Sequence, residues 1–331
     1  MTPPTPSITS SAAVAISSSH EANSPSEIGS LRGMVALRSF MSDISRLTRP
    51  RIALMVLATV VAAMWLTAGR GVGGPTMLWL LVGTTLVAAS SSIGNQILER
   101  DTDRLMPRTA RRPIAAGRLS VPAATMLTAV LVVSGAVMIT LASSWQPAAA
   151  AVVTWLLYLA IYTPMKRLSP LNTAVGAVAG ALPVTIGWLA ADGPQRLMAG
   201  EASGALAVAA LGTVLYLWQF PHFMAIAWLY RGQYAAAGMR MLTVDDPSGL
   251  RAAGQALAAS LAMVPVSLVL AVPSGSIRLF LAAAIASVVY VVATMGFAIR
   301  RDDASARTLL FTSLGSLLAL LTASVMFGPP A

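Results

Sequence analysis

The chain has no cysteine and only two histidines, His20 and His222. Without cysteine there is no disulfide, no thiolate metal site and no cysteine nucleophile. Charge is scarce as well. Only 10% of the 331 residues are charged, against about 25% in soluble domains. With 56% hydrophobic residues and a mean hydropathy of +0.74, a soluble globular fold is excluded and the chain reads as an integral membrane protein. Its net charge of +10 does not point to nucleic acid, because arginines in the loops of a membrane protein account for it.

Residues 1 to about 45 lack any long apolar run, are rich in Ser, Pro and Ala, and contain no arginine before Arg32. They are expected to form a disordered cytoplasmic tail. A secretory signal would need a basic start and an apolar centre. A mitochondrial transit peptide would be rich in arginine and poor in acids, whereas this segment carries Glu21 and Glu27. Neither pattern is present.

Nine apolar segments follow, at about 51–69, 77–99, 122–143, 147–163, 172–191, 205–229, 252–272, 277–299 and 308–327. Each is near the roughly 20 residues that span a bilayer. The fold expected is therefore an all-α membrane protein, a bundle of nine transmembrane helices over residues 46–331. The fourth segment is bracketed by Pro147 and Pro164, and Pro183 lies inside the fifth, where neighbouring helices absorb a kink. Gly176, Gly180 and Gly187 predict close helix packing there. With the N-terminus cytoplasmic, 19 of the 22 Lys and Arg residues fall on the cytoplasmic side, and only Arg70, Arg196 and Arg278 fall outside. That alternation supports nine spans and an outside C-terminus.

The polar groups gather in three cytoplasmic loops. At the end of the second segment, Asn95, Glu99 and Asp103 recur every four residues. On a helix each step of four drifts only about 40°, so the three share a face. Oxygen ligands of this kind suit Mg²⁺ held together with substrate phosphates. The arginines that follow, Arg108 and Arg112 among them, suit phosphate oxygens. The spacing alone is open to two readings: a diphosphate site at a membrane surface, or a helix end leading into a solvated loop of mixed charge. The second loop is Tyr162-Thr163-Pro164 with Lys166 and Arg167, and the third runs from Tyr216 through Pro247. A one-sided polar cluster over a helical bundle suits a substrate with a charged head and an apolar tail.

These stretches resemble the UbiA-type intramembrane prenyltransferases, and among them the heme O synthase (protoheme IX farnesyltransferase) family. The first motif of that family is matched by Asn95, Glu99, Asp101, Asp103, Met106, Arg108-Thr109 and Arg112-Pro113. The fourth-loop motif is matched by Tyr162-Thr163-Pro164 and its basic pair. The motif that separates heme O synthases from their relatives is matched by Trp218-Gln219-Phe220-Pro221-His222-Phe223 with Tyr234, Gly238 and Met241-Leu242. The resemblance covers residues 46 to 327. Two departures stand out: Gly232-Gln233 where the family has one or two acids before the tyrosine, and Thr243 where it commonly has proline.

The resemblance implies a farnesyl transfer from farnesyl diphosphate to a vinyl group of heme B, giving heme O for heme-copper oxidase assembly. The location implied is a bacterial inner membrane, with Mg²⁺ as cofactor and heme A synthase or oxidase assembly factors downstream. Implied metal ligands are Asn95, Glu99 and Asp103. The missing acid leaves Asp245 and Asp246 open to two readings: partial replacement of that acid, or an Asp246-Pro247 pair that starts a turn ahead of the seventh span. Implied catalytic groups are Asp101, Asp103, His222 and Tyr234. Arg108, Arg112, Lys166, Arg167, Trp218 and Arg240 are the implied contacts to diphosphate or heme. Trp218, Phe220, Phe223 and Trp228 are candidates for an aromatic cavity wall or for ordinary packing. His222 is open to heme iron or propionate binding, or to a hydrogen-bonded core position. Lys166 and Arg167 either grip diphosphate or anchor the end of their span. An acceptor such as an aromatic quinone precursor is the alternative within the enzyme class. A secondary transporter is the alternative outside it, though transporters place ionisable groups nearer the bilayer midplane than helix ends.

Overall fold

The computed structural model describes residues 25–69 and 74–328. Among them all regular structure is helical. The chain divides into two compact units, Met1–Ser42 and Asp43–Ala331. Helix α1, Pro25–Thr48, runs through that boundary. The disorder expected up to residue 45 therefore does not hold from Pro25 onward. From Met34 the apolar residues recur at helical spacing, which favours an amphipathic helix. Residues 1–24 lie outside the described residues.

Among the described residues, nine helices are long and apolar enough to cross a membrane: α2 Pro50–Ala68, α3 Pro75–Leu98, α4 Val121–Ala142, α5 Trp145–Leu168, α6 Asn172–Ala190, α7 Ala202–Leu229, α8 Leu250–Val269, α9 Ile277–Arg300 and α10 Asp303–Phe327. They match the nine segments expected. Each packs on the next, and α10 returns to α2, so the spans of the second unit close a ring. Helix α7 is the most buried and touches α2, α6, α8 and α10. Large apolar side chains such as Leu141, Ile299 and Phe311 remain exposed on the outside. In a bilayer that surface faces lipid, which removes the usual penalty for exposing it.

Small residues set how closely the spans approach. A Cβ added to Gly83 of α3 would lie 2.8 Å from the Gly135 carbonyl oxygen of α4, and one added to Gly135 would lie 2.7 Å from the Gly83 oxygen. A Cβ on Gly187 would overlap the Val60 carbonyl oxygen of α2. Helix α5 does not stop before Pro164. A π-helical stretch at Leu157–Tyr162 precedes the proline, and the Thr163 hydroxyl donates to the Tyr158 carbonyl at 2.8 Å. The altered ladder accommodates the residue that has no N–H, and α5 continues to Lys166 and Arg167.

Candidate active site

Helix α3 ends where its polar stripe begins. Asn95 is fully buried, its amide nitrogen donating to Thr163 Oγ1 at 3.2 Å and its oxygen accepting from Arg49 Nη2 at 3.1 Å. The backbone turns at Glu99 into a short helix, Arg100–Arg104. Glu99 and Asp103 stay on one side of it, and both are buried. Lys166 Nζ, arriving on α5, lies 2.7 Å from Glu99 Oε1. Arg112 Nη1 lies 2.6 Å from Asp103 Oδ2 and 3.6 Å from Glu99 Oε2. One cationic nitrogen thus sits between the two carboxylates.

Burial raises the Glu99 carboxyl, but the Lys166 ammonium and the Arg112 and Arg49 guanidiniums outweigh it and hold the group below its ordinary range. Burial dominates at Asp103 and, with repulsion from Glu99, pushes that carboxyl up despite Arg112 and Thr109. The two acids are therefore not equivalent.

These groups close one end of a cavity of about 360 Å³. Arg49, Arg108, Arg112 and Lys166 reach its polar end. Arg108 lies over the Tyr230 ring at 4.6 Å and donates to Tyr234 Oη at 3.4 Å. Trp155, Tyr158, Tyr162, Phe223 and Tyr234 supply aromatic wall, while Met106, Met239 and Met241 lie along the loop side. Gly176 packs against the Tyr162 ring and Gly180 against the Gln219 amide, so two expected close-packing glycines frame the cavity.

The structure brings Glu99, Asp103, Arg108, Arg112, Lys166 and Tyr234 to this cavity. Asn95 stands behind them and positions Arg49. Asp101 is not brought there. Two residues from Asp103, it points to the opposite side of the helix, is 76% exposed and pairs with Arg100 and Arg104. Arg167 is exposed and does not line the cavity.

Trp218 and His222 face away from it. Their rings stack at 4.6 Å, Trp218 Nε1 donates to the Ser313 carbonyl at 2.7 Å, and His222 Nδ1 is 2.7 Å from Ser313 Oγ. Tyr290 Oη donates to the Trp218 carbonyl. These two members of the motif join α7 to α9 and α10, while Gln219 and Phe223, on the next face, line the cavity. Phe220 and Trp228 do not.

The loop after α7 folds back, but by its main chain. Arg240 N donates to the Lys166 carbonyl at 2.7 Å and the Arg240 carbonyl accepts from Asn172 Nδ2 at 3.1 Å. Met239 and Met241 then face the cavity, and the Arg240 side chain turns outward to Asp245 at 3.2 Å. Asp246 accepts from Ser248 and from the Arg251 backbone N–H, capping the start of α8. Neither acid lines the cavity, so the geometry does not place them as replacements for the missing carboxylate. Gln233 Oε1, at the departed position, is buried without a hydrogen-bond partner among the described residues. Spacing arguments missed Arg49, Trp155 and Tyr158, which no local pattern ties to the acidic stripe.

An oxygen-only donor set suits Mg²⁺. Glu99 and Asp103 already converge on a single cationic nitrogen, so they fit one metal position. Among the described residues no third acid or histidine joins them, which leaves coordination sites for phosphate and water, as that ion commonly requires.

The model of the UbiA prenyltransferase family matches residues 56–316. A curated relative from Rhodopirellula baltica, named protoheme IX farnesyltransferase, is 41% identical over 283 residues, covering 83% of this chain and 96% of the relative. Among solved structures, a digeranylgeranylglyceryl phosphate synthase superposes with a TM-score of 0.69 at 14% identity, over 87% of this chain and 98% of the other. A UbiA homolog from Archaeoglobus fulgidus bound to GPP and Mg²⁺ superposes with a TM-score of 0.60 at 15% identity, over 86% and 99%.

Proposed function

Because the chain belongs to the UbiA prenyltransferase family, we propose that it transfers a farnesyl group from farnesyl diphosphate to a vinyl group of heme B and so makes heme O. The observation that carries this reading is the pairing of two buried carboxylates and four cations with an apolar, aromatic cavity behind them. A diphosphate needs the first part and a prenyl chain needs the second. The Rhodopirellula relative's name supplies the acceptor. The site lies on the cytoplasmic face of a bacterial inner membrane, with the N-terminus cytoplasmic and the C-terminus outside.

Arg49, Arg108, Arg112 and Lys166 hold the diphosphate oxygens and stabilise the negative charge that grows as the allylic C–O bond breaks. Glu99 and Asp103 would hold Mg²⁺, which the Archaeoglobus homolog binds with its substrate; bound there, the ion supplies Lewis-acid stabilisation of the leaving diphosphate. With Mg²⁺ on the two carboxylates, the Arg112 guanidinium that now pairs with them would be free for phosphate. Trp155, Tyr158, Tyr162 and Phe223 enclose the chain, keep water from the allylic carbon and present π faces to its positive charge. The vinyl carbon then bonds to that carbon, and the new cation beside the porphyrin takes up water and releases a proton.

Expression in a host that lacks its own heme O synthase, followed by heme extraction and mass measurement, tests the reading. Heme O supports it. A prenylated phenolic product without heme O assigns the acceptor to the aromatic quinone precursors. Cytoplasm-only reporters fused after residue 120 should give signal, and after residue 145 none; the reverse would overturn the orientation.

A further inference from the structure

We propose that α1 is an interfacial helix, with its apolar stripe sunk in the lipid headgroup region and its polar face holding the loop that carries Arg112. Met34, Leu37, Phe40, Met41 and Ile44 are 37–61% exposed. At 100° per residue they fall within an arc of about 120°, and Arg38, Ser42, Asp43 and Arg46 fall on the other side. A helix on a water-soluble protein turns such a stripe toward its own core. Here the opposite face is the one engaged. Asp43 accepts two hydrogen bonds from Arg118, at 2.8 and 2.7 Å, and Arg46 Nη1 donates to the Arg111 carbonyl at 3.2 Å. Gln96 Nε2 donates to the carbonyls of Arg46 and Leu47.

The occupant follows from chain continuity. Helix α1 ends at Thr48 and the first span begins at Pro50. Only Arg49 lies between them, in the left-handed region at φ 49°. That conformation is strained for a residue with a side chain, and more so before proline. It turns the chain sharply at the point where the span enters the bilayer, so α1 leaves from the membrane surface. A helix starting there with a bare apolar stripe matches the pattern of helices that lie in the interface plane. A lipid surface is therefore the partner. The arrangement pins Arg111 and Arg118, on either side of Arg112 in the same loop, to the membrane boundary.

Because the chain has no cysteine, single-cysteine variants take one label each. Leu37→Cys, Met41→Cys and Ile44→Cys report the stripe, and Arg38→Cys and Ser42→Cys the opposite face. The full-length protein is spin-labelled in nanodiscs of phosphatidylethanolamine and phosphatidylglycerol, and collisions with oxygen and with a water-soluble nickel chelate are measured. The ratio of oxygen to nickel accessibility should be several-fold higher at 37, 41 and 44 than at 38 and 42. Equal ratios at all five positions would place α1 in water and overturn the proposal. Protection from both reagents at the stripe would show a protein covering it and would equally overturn it.

Discussion

Lys166 Nζ lies 2.7 Å from Glu99 Oε1, joining the C-terminal end of α5 to the end of α3 across 67 residues of sequence. Both side chains are nearly buried, at 12% and 9% exposure. Removing Lys166 takes the nearest cation from the buried Glu99 carboxylate and leaves it Arg112 at 3.6 Å. Lys166→Met should destabilise the protein by about 3–5 kcal/mol, read as a lowered thermal transition in detergent. The double variant Lys166→Met with Glu99→Gln should regain most of that stability and none of the activity. The pH dependence follows from the sign of the Glu99 shift. Its folded-state carboxyl is held below the ordinary value, so the pair's contribution is present above that value and is lost as pH falls through the lowered one.

Asp103 and the proposed Mg²⁺ are tested together. Asp103→Ala should cut turnover by about 10²–10³-fold with the protein still folded in the membrane, and EDTA should abolish turnover until Mg²⁺ is restored. Full activity in EDTA would reject metal assistance. Asp101→Asn, at an exposed position, should stay within about tenfold of the parent rate, a difference of about 1.4 kcal/mol.

His222 provides a separation of structure from chemistry. Its ring is stacked on Trp218 and held by Ser313, away from the cavity. His222→Ala should cost about 1–3 kcal/mol of stability while changing kcat for the folded fraction little. Gln219→Ala, three residues earlier on α7 and lining the cavity, should change KM or kcat for farnesyl diphosphate. A large kcat loss in a fully stable His222→Ala protein would return His222 to the reaction.

Much of this was legible in the sequence, and the rest was hidden for physical reasons. Hydropathy and the one-sided arginines mark all nine spans, because the bilayer imposes both length and charge asymmetry. The step of four from Glu99 to Asp103 marks the acidic pair, since helix geometry is local. The rotation of α7 is another matter. That helix is apolar all round, so no amphipathic pattern says whether His222 or Gln219 faces the cavity. The course of α5 through Pro164 depends on a π-helical stretch whose energetics are set by its neighbours. Arg49 precedes Asn95 by 46 residues, and only the folded ring of helices joins them. Asp246 shows the reverse case, where an Asp-Pro turn pattern foretold its capping role better than a search for a missing acid.

Packing of the ring has its own test. Gly187→Ala places a methyl group on the Val60 carbonyl oxygen, and backbone cannot move aside as a flexible side chain would. Overpacking of this kind costs about 1–3 kcal/mol, and the thermal transition should fall accordingly. Gly254→Ala, with open space around its Cβ, should leave the transition unchanged or raised.

The most direct measurement uses the purified protein in lipid nanodiscs with heme B, farnesyl diphosphate and Mg²⁺, with the heme products separated and weighed by mass spectrometry. Heme O should form with the parent chain and fall to background with Asp103→Ala. Heme B recovered unchanged from the folded parent, with both substrates and metal present, would contradict the assignment.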